Sequence, residues 1–483
     1  MEIWYAPPVR GILRTIYEMD KQAHLVGGVV RDHLLGRPQY VDLDLAVKGD
    51  GYEISRHLTK IIGKGATFVP LDKQSGTGRV VMSKQSSFTI DISSFKGENI
   101  FEDLGKRDFT INAIAVNLAD FLDTGFDRVL DPCGGIRDLE ARKIRACSEN
   151  SFRDDPVRIL RAFRFSACLG FEIVRETLEL IPLSVAELDR MASERIRDEI
   201  FAVISEPCSF EAFKDMDTWG VLDLLFPGLD LAKGCVQNDY HHLDVWGHSL
   251  ETLHRLEVLL DSLRNTVGDL SDQISIYVEE EPVRGRPRLA LLKLAALFHD
   301  MGKVQTRTID ADDRVRFFGH EKISRQLFYE IGKRLRLAKR EIETIEKWIG
   351  GHMRPSILAG ETVSKRALHR LFREFGREVI GLLLLFLADI GASRGPGRAG
   401  FHAENACAAV RMALDEYFRS QQTRKPMFLN GNDLMNQFGI EQGPLLGKII
   451  RLLGELQDSG EISTREQAVS AVMKLYSAEA DLS

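Results

Sequence analysis

Along the first 145 residues, apolar positions come in short β-branched or alternating runs separated by turn residues. His24–Val26, Leu43–Val47, Thr67–Val69, Arg79–Met82, Phe88–Ile92 and Ile114–Val116 each read as a strand. From Ser151 to Ile204 the spacing becomes helical, with Val157, Leu160, Phe163 and Ala167 along one face, and nearly everything beyond it is helical in pattern. The pattern predicts an α+β chain: a mixed α/β head over 1–145, a helical neck over 146–230, a helical body over 231–415 and a helical tail over 416–483. Two stretches interrupt it. Ser262–Arg288, polar and carrying Pro282 and Pro287, reads as a surface insertion, and Ser393–Gly400 as a glycine-rich basic loop.

The most apolar segment, Val379–Ala388, has about half the length that a bilayer requires and ends at Asp389, so it reads as a buried helix. The opening residues MEIWYAPPVRGIL lack the basic-then-apolar pattern of a secretory leader. A soluble cytoplasmic protein without membrane partners is expected. The 483 residues are 44% hydrophobic and 28% charged, enough for several cores. With 64 basic against 71 acidic residues the net charge is −7, so a nucleic-acid partner would have to be met by a local basic surface. Lys333-Arg334, Arg336, Lys339-Arg340, Arg394 and Arg398 are the candidates for it. The six cysteines show no paired spacing and are expected to be reduced core residues.

Chemistry first gathers in HLVGGVVRDHLLGRPQYVDLDLAV. Gly27-Gly28 lies between a strand and a helix, and the next strand carries Asp42 and Asp44 two residues apart, hence on one face. Such a pair can hold Mg²⁺, while the glycine turn lets a triphosphate approach backbone N–H groups and Arg31 adds charge. Asp91, in the later strand SSFTIDISSF, is the candidate third acid of a two-metal centre for in-line displacement of pyrophosphate by a 3′-hydroxyl.

The order glycine pair, helix, D-x-D strand and third strand acid resembles the DNA polymerase β nucleotidyltransferase superfamily. GGVVRD (Gly27–Asp32), EDLGKRDFTINAIA (Glu102–Ala115), DPCGGIRDLEARKIR (Asp131–Arg145) and RDDPVRILRAFRF (Arg153–Phe165) further resemble the class II tRNA nucleotidyltransferase and poly(A) polymerase family, over roughly the first 210 residues. That resemblance implies an enzyme adding CMP and AMP from CTP and ATP to the tRNA 3′ end, with Arg107, Asp108 and Arg161 among the nucleotide-binding residues. Lys106 stands where the family usually has a second arginine, which replaces a forked donor with a point charge.

DDPVRILRAFRF reads as one helix with Pro156 in its first turn, so that Asp155 and Arg158, three apart, project side by side. An acceptor beside a donor complements the amino group and ring nitrogen shared by cytosine and adenine, which matches the family's amino-acid template. Downstream, SERIRDEIFAVI (Ser193–Ile204) resembles the closing neck helix, with Ser193 as N-cap. Relatives that add a complete CCA carry a long flexible loop after the third acid, whereas only ISSFKGENIFEDLG stands here. The resemblance therefore leaves a CC-adding enzyme open beside a CCA-adding one.

In the helical half, His248, the adjacent His299-Asp300 and Asp389 occur in an order that resembles the HD phosphohydrolase superfamily, where such residues ligate a divalent metal. His320 and His352 are candidates for a second metal or a substrate phosphate. NGNDLMNQFGIEQGPLLGKIIRLL is similar to the C-terminal helical segment of HD-bearing relatives. Three readings remain: a tRNA CC- or CCA-adding enzyme, a poly(A) polymerase, and an HD hydrolase with a nucleotide-binding N-terminal module. The sequence leaves the oligomeric state open.

Overall fold

The computed structural model describes residues 7–37, 42–82, 88–359, 364–393, 403–422, 427–458 and 460–480. Arg394, Arg398 and most of the Ser393–Gly400 stretch lie outside the described residues. The chain divides into two compact units. The first comprises Met1–Glu206 with Glu211–Leu225, the second Pro207–Phe210 with Phe226–Ser483.

The first unit is built on a six-stranded sheet of β1 (His24–Val26), β2 (Asp42–Val47), β3 (Ala66–Asp72), β4 (Thr77–Met82), β5 (Thr89–Ser94) and β6 (Ala115–Asn117), in the order β3-β4-β5-β2-β1-β6. Among the described residues of this sheet, β2 and β5 pair in parallel and the other neighbours are antiparallel. Strand alternation sorts the side chains. Leu43, Leu45, Ile90 and Ile92 are buried on one face, which sends Asp42, Asp44 and Asp91 to the other. Helix α1 (Gly28–Leu34) follows β1 directly, and α2 (Gly51–Ile62), capped by Asp50, packs on β3, β4 and β5. Gly51 permits that contact, since a Cβ there would stand 2.7 Å from the Ile92 carbonyl oxygen.

Helix α3 (Ile100–Gly105) leads into the KRD segment, and then come the short α4 (Ser151–Asp154), α5 (Arg158–Leu169) and the neck helix α6 (Ser193–Ile204). Val157, Leu160 and Phe163 are buried as their period predicts, and α5 packs on α6. Two local expectations change. The single helix expected over DDPVRILRAFRF is broken at Asp155, which is extended (φ −153°, ψ 99°). The N-cap of α6 is Ala192 rather than Ser193, with no side-chain cap.

In the second unit, α7 (Val245–Asp261), α8 (Arg288–Phe298) and α11 (Val379–Ala392) pack on one another, beside the pair α9 (His320–Arg334) and α10 (Lys339–Gly351). Val379–Ala388 is the buried helix expected, and among the described residues no helix is long and apolar enough to cross a membrane. Ser262–Arg288 is not an irregular insertion. It forms helices at Leu263–Val267 and Ser271–Glu279 and buries Leu263, Val267, Ile274 and Tyr277. Towards the C-terminus, α12 (Gly431–Phe438), α13 (Pro444–Asp458) and α14 (Arg465–Ala480) share a core that includes Leu434, Ile449, Leu453 and Val472. All six cysteines are free.

Candidate functional site

Parallel pairing sets Asp44 of β2 directly opposite Asp91 of β5, and Asp42 opposite Thr89. All three carboxylates thus share one sheet face, each with its own partner. Arg79, across the β4–β5 ladder, grips Asp91 with Nε and Nη2, both at 2.7 Å. Thr89 donates its hydroxyl to Asp42, and the Gly28 N–H bonds to Asp44. Burial, reinforced by Asp91, pushes the Asp44 carboxyl up to about 6, with Arg107 opposing. Two like charges facing each other in a partly dry site ask for a cation between them.

Gly27, at φ +71°, closes this site from the side of the turn. A Cβ there would lie 3.2 Å from Asp44 Oδ2 and 3.4 Å from Arg107 Nη1. Arg107 is held by Asp103, a buried residue that accepts from its Nε (3.0 Å) and Nη2 (2.9 Å), so that Nη1 is the nitrogen beside the turn. Arg31 is less free than expected: Asp32 takes Nε and Nη2, and Asn112 Oδ1 accepts from Nη1 at 2.8 Å. Asp108 is buried between the same Asn112, the Phe109 N–H and Arg161. Burial alone would raise its carboxyl, but Arg161 and these hydrogen bonds outweigh burial and bring it to about 2.

On the other side of the KRD segment a cleft of about 910 Å³ is lined by Lys96, Lys106, Asp155, Arg158 and Arg195, with Leu183 and Met191 as apolar wall. Asp155 and Arg158 share this cleft but are not paired. Asp155 accepts from Arg195 of α6 at 2.7 Å, while Arg158 turns to the carbonyls of Lys106 and Arg107.

The second centre forms where helix ends meet. His299 and His352 each follow the last residue of a helix, His320 opens α9, and His248 and Asp389 come from α7 and α11. His299, His320 and His352 donate Nδ1–H to the carbonyls of Ala296 (2.9 Å), Phe317 (2.8 Å) and Ile349 (2.7 Å), which fixes their tautomer. Their Nε2 lone pairs then converge on acids. His299 Nε2 is 3.3 Å from Asp300 Oδ2, and His320 Nε2 is 3.2 Å from Asp300 Oδ1. His248 Nε2 is 3.1 Å from Asp389.

His248 Nε2, His299 Nε2 and Asp300 Oδ1 are buried without a hydrogen-bond partner. Facing lone pairs of this kind fit divalent cations, which accept from imidazole and carboxylate alike. Burial holds His248 and His352 below the usual imidazole range, while Asp300 and Asp389 stay well below the carboxylate range because His299, His248 and Lys303 outweigh their burial.

Among the described residues, groups with ligand atoms all within 4.8 Å of one another are His241/His248/Asp389, His248/His299/Asp300 and Asp300/His320/His352. Asp300 therefore serves two clusters, one through each oxygen. The trio Asp42, Asp44 and Asp91 is not drawn in so tightly. Sequence reasoning missed His241, which stands with His248 and Asp389 and is kept neutral because burial and Lys303 lower it to about 3. It also missed Lys303, 2.6 Å from Asp300, as well as Arg79, Asp103, Asn112 and Arg195. His241 and Lys303 stood within stretches already conspicuous, YHHLDVWGH and HDMGK; the others depend on register and packing.

Comparison with known proteins adds three matches to family models: the poly A polymerase head domain over residues 23–145, the probable RNA- and SrmB-binding site of polymerase A over 170–233, and the HD domain over 245–389. The chain is 33% identical to an A-adding tRNA nucleotidyltransferase of Deinococcus radiodurans, over 94% of this chain and 95% of that one. It is also 33% identical to a CC-adding tRNA nucleotidyltransferase of Geobacter sulfurreducens, over 92% and 90%. Among solved structures it resembles the Thermotoga maritima CCA-adding enzyme complexed with tRNA (TM-score 0.64, 22% identity, 98% and 97% covered). A CCA-adding enzyme in complex with CTP matches at TM-score 0.65 with 22% identity, covering 98% and 96%. Both nucleotidyltransferase and HD families use divalent metals, and candidate ligand groups for them are present here.

Proposed function

The chain belongs to the tRNA nucleotidyltransferase family, and from that premise we propose that it transfers CMP and/or AMP from CTP and ATP to the 3′ end of tRNA without a nucleic-acid template, in the cytoplasm. The observation that carries this reading is the register of Asp44 against Asp91, with Asp42 on the same face and the Gly27 turn and Arg107 alongside. Mg²⁺ held by Asp42 and Asp44, with Asp91 as third acid, would supply activation of the 3′-hydroxyl and charge for the departing pyrophosphate. The protein's own part is positioning. Gly27 and Gly28 let the phosphates approach the backbone, Arg107 and Arg31 add positive charge there, Asp108 and Arg161 hold the sugar side, and the cleft at Asp155 receives the base.

The helical centre, in the same reading, holds a divalent cation on His248, His299, Asp300 and Asp389, with His320 and His352 beside it for a second cation or a phosphate. The orphaned Nε2 atoms of His248 and His299 and the orphaned Asp300 Oδ1 support that assignment. Phosphoester hydrolysis is the activity this donor set suits.

Incubation with each of the four triphosphates, on tRNA ending at the discriminator base, on tRNA ending in CC and on unstructured RNA, tests the polymerising role. Incorporation confined to tRNA and to CTP or ATP is expected. Relatives of equal identity divide between A-adding and CC-adding, and the two tRNA ends separate those outcomes. Extension of unstructured RNA with ATP alone would replace this reading with a poly(A) polymerase.

A further inference from the structure

Cys133 and Cys147 show no paired spacing along the chain, yet the fold brings them together beside the KRD segment. Residues 145–147 are bonded to it: Ala146 bridges Phe109, the Thr110 N–H donates to Arg145 O at 2.9 Å and the Cys147 N–H donates to Asp108 O at 3.2 Å. The turn DPCGG packs on the same residues. A Cβ on Gly135 would stand 2.1 Å from Thr110 O, and Asp138, in the helix Gly135–Glu140 that follows the turn, accepts from the Thr110 hydroxyl at 2.7 Å. Each cysteine therefore belongs to a stretch held against residues 108–110.

Their side chains meet as well. Both are half-buried, and both pack on one apolar cluster that includes Ile100, Leu104 and Ala113. The Cys147 thiol donates a hydrogen bond to Cys133 Sγ, and this bond holds the Cys133 thiol below its ordinary range. A sulfur so placed supplies the thiolate that attacks disulfides, with a second thiol beside it to complete the exchange. Neither thiol has a part in the nucleotidyl transfer proposed above.

We propose that Cys133 and Cys147 form a modification site, at which a small disulfide of the glutathione type oxidises them to a reversible intramolecular disulfide that slows nucleotide incorporation. The Cys133 thiolate attacks one sulfur of the oxidant and expels the other half as a thiolate. Cys147 then gives its proton to solvent and attacks Cys133 Sγ in the mixed disulfide, expelling the second half. The pair has lost two electrons and two protons, and one small disulfide has become two small thiols. Such a link is transient in a reducing compartment, where dithiols reverse it.

A covalent bond draws two sulfurs closer than a hydrogen bond does, so the DPCGG turn and residues 145–147 must close on each other where both contact residues 108–110. The carboxylate of Asp108 is placed there by Asn112 and Arg161, and Arg107 precedes it. Formation of the link is independent of the nucleotidyl-transfer reading; its effect on incorporation rests on that reading.

The test treats the full-length protein and its Cys133→Ser and Cys147→Ser variants with glutathione disulfide. Linked peptides are then mapped by mass spectrometry, and CTP and ATP incorporation is measured before and after dithiothreitol. The unsubstituted protein is expected to yield a Cys133–Cys147 linked pair and to lose incorporation about fivefold, with recovery on reduction. Cys147→Ser should retain glutathione on Cys133, the trapped intermediate, and Cys133→Ser should keep its incorporation through the treatment. Absence of the linked pair overturns the inference. So does a linked pair that leaves incorporation unchanged, or an equal loss in Cys133→Ser, which would put the responsive thiol elsewhere. A reduced, unsubstituted protein that incorporates no nucleotide overturns the nucleotidyl-transfer reading instead, and the peptide map still decides whether the link forms.

Discussion

At the sheet, three carboxylates come together because a strand ladder registers them, and each is held by a separate partner: Arg79, Thr89 or the Gly28 amide. At the helical centre, three imidazoles held by backbone carbonyls aim their Nε2 atoms at the buried Asp300. The first arrangement keeps its charges apart and leaves one carboxyl poised near neutrality; the second has already met the cost of burying and orienting its donors. A site whose ligands come and go with every nucleotide suits the first design, and a site for a resident ion suits the second.

The widest separation between the two is expected from single carboxylates. Asp44→Asn should reduce incorporation by on the order of 10³-fold while leaving the metal content of the purified protein intact, as read by elemental analysis. Its thermal midpoint at pH 7.5 should not fall. The folded carboxyl at about 6 lies above its ordinary value of 3.8, so the stability this group contributes is present at low pH and is lost as pH rises through 6; the amide removes that loss. Asp300→Asn should do the reverse, with metal content falling to near zero and incorporation staying within about threefold of the parent. Comparable loss of incorporation in both variants would break the comparison.

A smaller effect follows from pH. Between pH 7.5 and 5.5 incorporation should fall about fourfold as Asp44 takes up a proton. At the helical centre Asp300 and Asp389 stay ionised and burial keeps His248 and His352 neutral, while Asp300 raises His299 against its burial, so loss of a bound metal over this range should follow His299 and not Asp44. Metal release tracking the loss of incorporation would mean that one group governs both. The smallest effect concerns the exposed basic residues at the α9–α10 turn, Lys333, Arg336, Lys339 and Arg340. Replacing Lys339 and Arg340 with alanine should reduce the salt dependence of tRNA binding by a slope of about 1 to 2, leaving both centres unchanged.

Much of this was legible in the chain. The period-two spacing of Leu43 and Leu45 against Asp42 and Asp44 required the acids to share a face, and the order of histidines and aspartates foretold the helical cluster. Arg79 was not legible, because which residue opposes Asp91 depends on the register between β4 and β5. The break at Asp155 had a signal that the helical reading overrode: a residue before proline is biased away from the helical region, and Asp155 precedes Pro156. The apolar spacing of Leu263, Val267, Ile274 and Tyr277 likewise marked helices inside a stretch whose prolines suggested a loop. Arg195 could not be found from spacing, since it meets Asp155 across forty residues of sequence.

The pairing of β2 with β5 also bears on which lengths of this chain can vary. Residues 48–88 leave one strand and return to its neighbour through α2, β3 and β4, so insertions or deletions can accumulate in the turns between these elements, whereas a shift within β4 would move Arg79 off Asp91. A single added residue between Thr89 and Asp91 is another matter: it would turn the third acid to the leucine-lined face. Gaps among homologues should therefore crowd into the turns and stop abruptly at six positions on either strand.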